Sequence, residues 1–326
     1  MRGLLSTIQH QSEALRGNCW GDPSLRDVVV YEPAGASGEM PALLALPAFT
    51  SSHWGFLNKG WRSENLPERL ERLSQEQGLG PVRIFMPDCM TFMGGSQFLD
   101  SAGMGHYGTW IATELMPWLS ERFPTTKWGA FGKSSGAYGA FRLPLDHPGC
   151  FQAIAAHAPD AGFEVVYPPD FPTAVETLRQ AGGVQAWLKD WGNRRGVKGP
   201  DHSVANLLAM ACCYSPNPES PTGGLPADLP VDLDTAEVIE AVMARWITHD
   251  IVPLVQQRPT ALKDVAIWLD VGRRDEYRLQ VGARRLHRAV QAAGLDCHYE
   301  EHAGGHFKLN DRFDGSLPFL VRALSS

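Results

Sequence analysis

Residues Gly132 to Gly136 constrain the fold of this chain more than any other stretch. They read Gly-Lys-Ser-Ser-Gly and fit the pattern G-x-S-x-G, with Ser134 at the centre. In a nucleophile elbow, this pattern places a serine on a sharp turn between a strand and a helix. Small residues two places on either side of the serine relieve crowding between the turn and the helix. The serine hydroxyl then stands at the carboxyl edge of a sheet.

The sequence on either side of this pattern supports an elbow. Residues 128–131 are short and apolar, as in a buried parallel strand, and residues 137–145 have the alanine and large apolar side chains of a helix. A phosphate-binding loop would need glycine at position 127, where Lys127 stands. The remaining alternative is a glycine-rich turn without a catalytic role, and residues elsewhere in the chain are needed to distinguish it from an elbow.

Composition narrows the class of protein. Of the 326 residues, 44% are apolar, which is ordinary for a globular protein. The net charge of −7 does not attract nucleic acid or an anionic membrane. No apolar run has the length of a membrane span, and the N-terminus is polar where a signal peptide would be apolar. The six cysteines lack zinc or C-x-x-C spacing. We therefore expect a cytoplasmic protein with reduced thiols and no metal or cofactor.

Alternating strands and helices indicate an α/β fold. Residues 1–25 are predicted to form a polar arm. The predicted strands are 26–32, 41–46, 81–86, 128–131, 151–158, 264–271 and 297–301. The predicted helices are 65–77, 109–123, 137–145, 278–293 and 315–325. This order favours a mostly parallel central sheet with helices on both faces.

The alternation stops between residues 163 and 262. This stretch contains four helical patches separated by proline and glycine, and it is too long to be a simple loop. We interpret it as an inserted, mainly helical lid lobe. Residues 1–162 and 263–326 would then form one core.

The residues that follow the later strands suggest nucleophilic catalysis. A serine hydroxyl needs a base to take its proton, usually a histidine oriented by a carboxylate. Asp275 comes four residues after one predicted strand, and His306 comes just after the last one. One helix and one strand separate them, so both loops reach the same edge of the sheet as Ser134. The order Ser, Asp, His is that of an α/β hydrolase.

Neighbouring residues compete for two of these roles. Asp270, inside the strand, and Glu276 are alternatives to Asp275 as the acid. His302 is an alternative to His306 as the base, but the two glycines at 304 and 305 give His306 more freedom to reach the serine.

An oxyanion formed at the serine needs preorganised donors. We expect the backbone N–H of Ser135 to be one donor. The other should come from the loop after strand 41–46, where Phe49 is preferred and Thr50 is second. The predicted substrate-binding residues are Thr50, Trp54, His106, Tyr107 and Lys133, and further histidines considered for the pocket wall are His53 and His157.

At this point the chain resembles the esterase D-like branch of the α/β hydrolases, which includes S-formylglutathione hydrolases, enterochelin esterases, feruloyl esterases and mycobacterial mycolyltransferases. The resemblance covers about residues 26–162 and 264–322. Family members often have methionine where this chain has Ser135, and glycine where it has Pro47 and Ala48. The segments that carry the resemblance are 84–88 (IFMPD), 113–119 (TELMPWL), 132–140 (GKSSGAYGA) and 304–306 (GGH).

The resemblance implies an α/β-hydrolase fold with a Ser134–His306–Asp275 triad, and it does not cover the segment 163–262. It favours a cofactor-free serine carboxylesterase acting through an acyl-enzyme. An acyltransferase with the same acyl-enzyme, a thioesterase and a non-catalytic binding protein of this fold remain alternatives. The expected partner is a small-molecule ester, without nucleic acid or membrane, and homo-oligomerisation stays open.

Overall fold

One eight-stranded sheet forms the centre of the protein. The computed structural model describes residues 3–219, 222–307 and 309–325. The strands are β1 (Leu4–Gln11), β2 (Leu25–Glu32), β3 (Met40–Leu46), β4 (Arg83–Pro87), β5 (Thr125–Lys133), β6 (Ala153–His157), β7 (Ala266–Gly272) and β8 (Cys297–His302). Their order across the sheet is β1-β2-β4-β3-β5-β6-β7-β8. Strand β2 is antiparallel to both of its neighbours, and the other pairs are parallel.

The predicted polar arm is wrong for residues 4–11. These residues form β1, which pairs with β2 from Leu4 opposite Glu32 to Gln11 opposite Leu25. Strand β1 lies at the edge of the sheet, and most of its side chains are exposed or half-buried. An edge strand of this kind needs no alternating apolar pattern, so periodicity gave no signal. Residues 1 and 2 of the arm lie outside the described residues.

Helices cover both faces of the sheet. They are α1 (Leu66–Gln77), α2 (Met116–Arg122), α3 (Ser135–Asp146), α4 (Phe163–Val166), α5 (Phe171–Ala181), α6 (Val184–Asn193), α7 (Asp201–Tyr214), α8 (Glu240–Ile247), α9 (Ile251–Gln257), α10 (Leu279–Ala292) and α11 (Phe313–Ser325). A π-helical stretch, Trp110–Leu115, leads directly into α2. In the part of the chain that the structure describes, no helix is long and apolar enough to cross a membrane.

The two faces of the sheet have separate apolar cores because successive strand residues point to opposite sides. Val29 and Leu43 pack with α1 and α11 on one face. Val28 and Leu44 pack with α3 and α10 on the other face. The sheet is therefore buried on both sides, as its mostly parallel strands require.

The segment 163–262 is mainly helical and contains α4 to α9. Its buried side chains, including Leu178, Trp187 and Trp246, belong to the same apolar cluster as α3 and the sheet face beneath it. The segment thus packs directly on the face that carries α3. Its interpretation as an inserted lobe remains a prediction.

Candidate active site

Ser134 occupies a strained turn between β5 and α3. Its backbone has φ 55° and ψ −122°, which a non-glycine residue adopts only under constraint from its surroundings. The Ser134 N–H donates to the carbonyl of His157 on the neighbouring strand (2.9 Å), and the Ser134 carbonyl accepts from the Tyr138 N–H (2.9 Å). These two hydrogen bonds hold the turn in the geometry of a nucleophile elbow.

The glycines on either side of the serine are required by close backbone packing. A Cβ placed on Gly132 would lie 2.4 Å from the carbonyl carbon of Gly136. A Cβ placed on Gly136 would lie 2.1 Å from the carbonyl oxygen of Leu46 at the end of β3. Neither distance is tolerated, because the opposing atoms belong to the main chain. The two glycines of the pattern G-x-S-x-G are therefore required by the close packing of the elbow against its neighbours.

His306 and Asp275 meet at the same edge of the sheet, as predicted from their places after β8 and β7. Nδ1 of His306 lies 2.8 Å from Oδ2 of Asp275. The side chain of Asp275 is fully buried. Its Oδ1 accepts from the N–H groups of Tyr277 (2.9 Å) and Leu279 (3.4 Å). The carboxylate is thus held in place, and only one of its oxygens faces the imidazole.

The competing acids have other partners. Asp270 is buried and binds His157 Nδ1 (2.9 Å), Trp268 Nε1 (2.9 Å) and Arg312 Nε (3.2 Å). Glu276 accepts from the backbone N–H of His306 (2.6 Å) and so holds the loop instead of the ring. Of these three acids, only Asp275 is hydrogen-bonded to the His306 ring.

The competing histidine also has a local role. Nδ1 of His302 accepts from the N–H of Gly304 at 3.1 Å. His302 does not line the cavity that contains Ser134, whereas His306 does.

Ser134 and His306 line one cavity of about 330 Å³ at the carboxyl edge of the strands. Among the described residues, no hydrogen bond joins Ser134 Oγ to the imidazole. Such contacts are often loose in a free enzyme and tighten when substrate binds. The cavity walls come from the loop after β3, the end of β5, the loops after β6, β7 and β8, and helix α7.

Two residues that line the cavity with Ser134 have backbone N–H groups without an acceptor among the described residues. Ser135 is the first residue of α3, where an N–H has no intrahelical acceptor. Phe49 is the other residue, in the loop after β3. The N–H of Thr50 instead donates to the carbonyl of Gly94 (2.8 Å). This favours Phe49 over Thr50, the second choice from the sequence.

The structure brings two of the five predicted substrate-binding residues to the cavity. Thr50 and Lys133 line it. Lys133 Nζ donates to Asn310 Oδ1 (2.7 Å), and burial lowers the pKa of its ammonium group. The Lys133 ammonium group thus has a partner, Asn310, on the same cavity wall.

The other three lie outside the cavity. Trp54 is 46% exposed beside His53, and His106 is exposed on the surface. Tyr107 is fully buried in the core, where its hydroxyl accepts from Arg26 at 2.5 Å. Tyr107 thus contributes core packing where the sequence analysis predicted substrate binding.

His53 and His157 are also structural. His53 is buried, with Nδ1 3.5 Å from Oδ1 of Asp88. His157 is fully buried between Asp270 and Ser316.

Several cavity residues were missed by the sequence analysis. Asp160 is the one that the sequence could have indicated, because it follows the end of strand β6 just as Asp275 and His306 follow strand ends. Burial raises the pKa of Asp160. His202 and Asn206 come from α7, and Tyr277 packs edge-on against the His306 ring with 4.8 Å between ring centres. Burial lowers the pKa of His202.

The sheet order, the strained serine turn and the paired His306 and Asp275 define an α/β hydrolase. The model of the family described as "Putative esterase" matches residues 99–318, which is more than half of the chain. The chain belongs to this family and is a carboxylic ester hydrolase.

Solved structures of other proteins show a similar fold. A ferulic acid esterase is 17% identical, with a TM-score of 0.63 and 99% of each chain covered. An S-formylglutathione hydrolase from Agrobacterium tumefaciens is 17% identical, with a TM-score of 0.59 over 99% of this chain and 96% of that one. The same kind of enzyme from Staphylococcus aureus is 12% identical, with a TM-score of 0.58 and full coverage of both chains. Comparison with curated proteins finds no significant match.

Proposed function

We propose that the protein is a serine carboxylesterase in which Ser134 is the nucleophile, His306 the base and Asp275 the residue that orients the base. The observation that carries the proposal is the position of Ser134. It lies on a strained elbow in the same cavity as a histidine whose Nδ1 is 2.8 Å from a buried carboxylate.

Acylation begins when His306 Nε2 takes the proton of Ser134 and the serine oxygen attacks the ester carbonyl. Because Nδ1 faces Asp275, the carboxylate holds the tautomer with Nε2 free and stabilises the imidazolium that forms. The N–H groups of Phe49 and Ser135 bind the oxyanion of the tetrahedral intermediate. His306 then donates its proton to the leaving alcohol, and the acyl group stays on Ser134.

Deacylation repeats the sequence with water. His306 takes a proton from the water molecule, whose oxygen attacks the acyl carbon. The second tetrahedral intermediate collapses, the proton returns to Ser134 Oγ, and the carboxylic acid leaves. Side chains of the inserted segment, such as His202 and Asn206, line the cavity, which supports a role for this segment in covering the substrate.

Labelling with a fluorophosphonate followed by intact-mass and peptide mass spectrometry tests the nucleophile. We expect one adduct per chain, on Ser134, and none in Ser134→Ala. Hydrolysis of p-nitrophenyl butyrate by Ser134→Ala should fall on the order of 10,000-fold or more in kcat.

Ser135→Ala is the matched control, because it removes a neighbouring hydroxyl and keeps the backbone N–H. It should still be labelled on Ser134. Full esterase activity in folded Ser134→Ala would show the proposal to be wrong.

A further inference from the structure

Asp160 is a buried carboxyl group in the catalytic cavity that the triad does not use. Only 8% of the residue is exposed, and that surface faces the cavity. Its Oδ2 accepts from Gln97 Nε2 (3.0 Å) and from the hydroxyl of Ser135 (3.2 Å), next to the nucleophile. No donor among the described residues reaches Oδ1. A carboxyl oxygen on a cavity wall without a donor from the protein is free to accept a hydrogen bond from a ligand.

The position of Asp160 is enforced by its neighbour Gln97. Gln97 is fully buried, and its backbone φ is +52°, followed by +54° at Phe98. Two successive non-glycine residues in this region cost free energy and persist only where the surrounding packing over-determines them. The packing that maintains this backbone also holds the Gln97 amide against Asp160, so the carboxyl orientation is set before any ligand binds.

Asn206 on α7 supplies a second acceptor in the same cavity. Its Oδ1 is buried and has no hydrogen-bond partner among the described residues. A buried amide oxygen without a donor costs free energy unless a ligand or water supplies one. Asp160 and Asn206 come from different parts of the chain, and both line this cavity.

The lysine and arginine groups of the cavity have other partners, whereas His306 and His202 act electrostatically on Asp160 without forming an ion pair with it. Arg69 pairs with Asp311 and Asp314, and Asp170 pairs with Arg278. Lys133 binds Asn310. Among the described residues, no lysine, arginine or histidine forms an ion pair with Asp160.

We propose that Asp160 and Asn206 form an acceptor subsite that binds a hydroxyl group of the ester substrate. A hydroxyl both donates and accepts, so it can pair with a carboxyl group in either protonation state and with an amide oxygen. This inference rests on the proposed esterase function and names its substrate class as hydroxylated esters.

A comparison of kcat/KM among four esters of similar size tests the subsite, with acid release followed in a pH-stat. The four substrates are ethyl butyrate, ethyl 3-hydroxybutyrate, 2-hydroxyethyl butyrate and ethyl 3-aminobutyrate. We expect kcat/KM for one hydroxy ester to exceed that for ethyl butyrate by about tenfold, the scale of a buried hydrogen bond. The ester that gains shows whether the hydroxyl belongs to the acyl or the alcohol side.

Substitutions at Asn206 and Asp160 test whether these two residues cause the preference for the hydroxy ester. Asn206→Leu breaks no hydrogen bond of the described residues, and it should bring the ratio of hydroxy ester to ethyl butyrate close to one. Asp160→Ala should do the same, although it also releases Gln97 and Ser135. Val166→Ala is the control, since it alters the apolar wall and should leave the ratio in place.

Three results would overturn the inference. They are equal kcat/KM for all esters in the wild type, a hydroxyl preference that survives in Asn206→Leu, and a preference for the amino ester, which would indicate a cation subsite. Each presumes hydrolysis that is lost in Ser134→Ala. If Ser134→Ala stays active, the proposed esterase mechanism fails instead.

Discussion

Nδ1 of His306 lies 2.8 Å from Oδ2 of Asp275, while Asp270, five residues earlier, is bound to His157 on the neighbouring strand β6. The two aspartates are both buried and both face a histidine. Of these four residues, only His306 lines the cavity that contains Ser134. We therefore expect Asp275 to be needed for catalysis and Asp270 mainly for stability.

We predict that Asp275→Asn lowers kcat on the order of 10,000-fold, because an amide neither fixes the His306 tautomer nor stabilises the imidazolium. The measurement is steady-state hydrolysis of p-nitrophenyl butyrate, with circular dichroism to confirm folding.

Asp270→Asn is the matched comparison. It breaks a buried cluster with His157, Trp268 and Arg312, so it should cost about 3–5 kcal/mol of unfolding free energy. Turnover per folded molecule should change little. An equal loss of kcat in both variants would contradict the assignment of Asp275 as the orienting acid.

Gly136→Ala should prevent stable folding, because the new Cβ would lie 2.1 Å from the Leu46 carbonyl oxygen. Both atoms are tied to the main chain, so relief requires moving β3 or α3. We expect a loss above about 3 kcal/mol in urea unfolding, or no soluble protein.

Gly199→Ala is the control, since a Cβ there meets no atom within 4 Å. It should change stability by less than about 0.5 kcal/mol. A Gly136→Ala protein as stable as this control would mean that the elbow packs less closely against β3.

His249 should make the stability of the protein depend on pH. Burial and the neighbouring Arg142 lower the pKa of its imidazole to about 4. In the unfolded chain the imidazole titrates near pH 6.5 and binds its proton more readily than in the fold. The stability contributed by neutral His249 is therefore complete above about pH 6.5 and is lost as the pH falls towards 4.

His249→Gln should flatten this part of the pH profile. The measurement is the free energy of unfolding in urea at pH 7, 6, 5 and 4 for both proteins. If the difference between the two proteins is the same at every pH, then His249 does not titrate in this window.

Asp250→Ala should destabilise the contact between the inserted segment and the loop after β6. The Asp250 carboxylate is 1% exposed and accepts from Gly162 N (3.2 Å), Phe163 N (2.8 Å) and Val252 N (3.0 Å). Removing it leaves three N–H groups without their acceptor, so we expect a loss of about 3 kcal/mol in urea unfolding.

Asp232→Ala provides the exposed comparison. Asp232 also accepts from two backbone N–H groups, those of Asp234 and Thr235, but water can replace it. Its loss of stability should be clearly smaller. Equal losses at the two positions would show that burial of the Asp250 contacts adds nothing.

The amino-acid sequence by itself determined the elbow, the alternation of strands and helices after residue 25, and the chain order of Ser134, Asp275 and His306. These features are local. Strand and helix periodicity, glycine beside a sharp turn and polar residues after strand ends are all read within a few positions.

Tertiary structure decided which side chains share the cavity. Folding places a different histidine opposite Asp275 and Asp270, and it buries Tyr107 in the core with its hydroxyl bound to Arg26. Asn206 reaches the cavity from a helix far along the chain. Such neighbours depend on packing between distant elements, and packing is set by shape and burial across the whole fold, which periodicity does not encode.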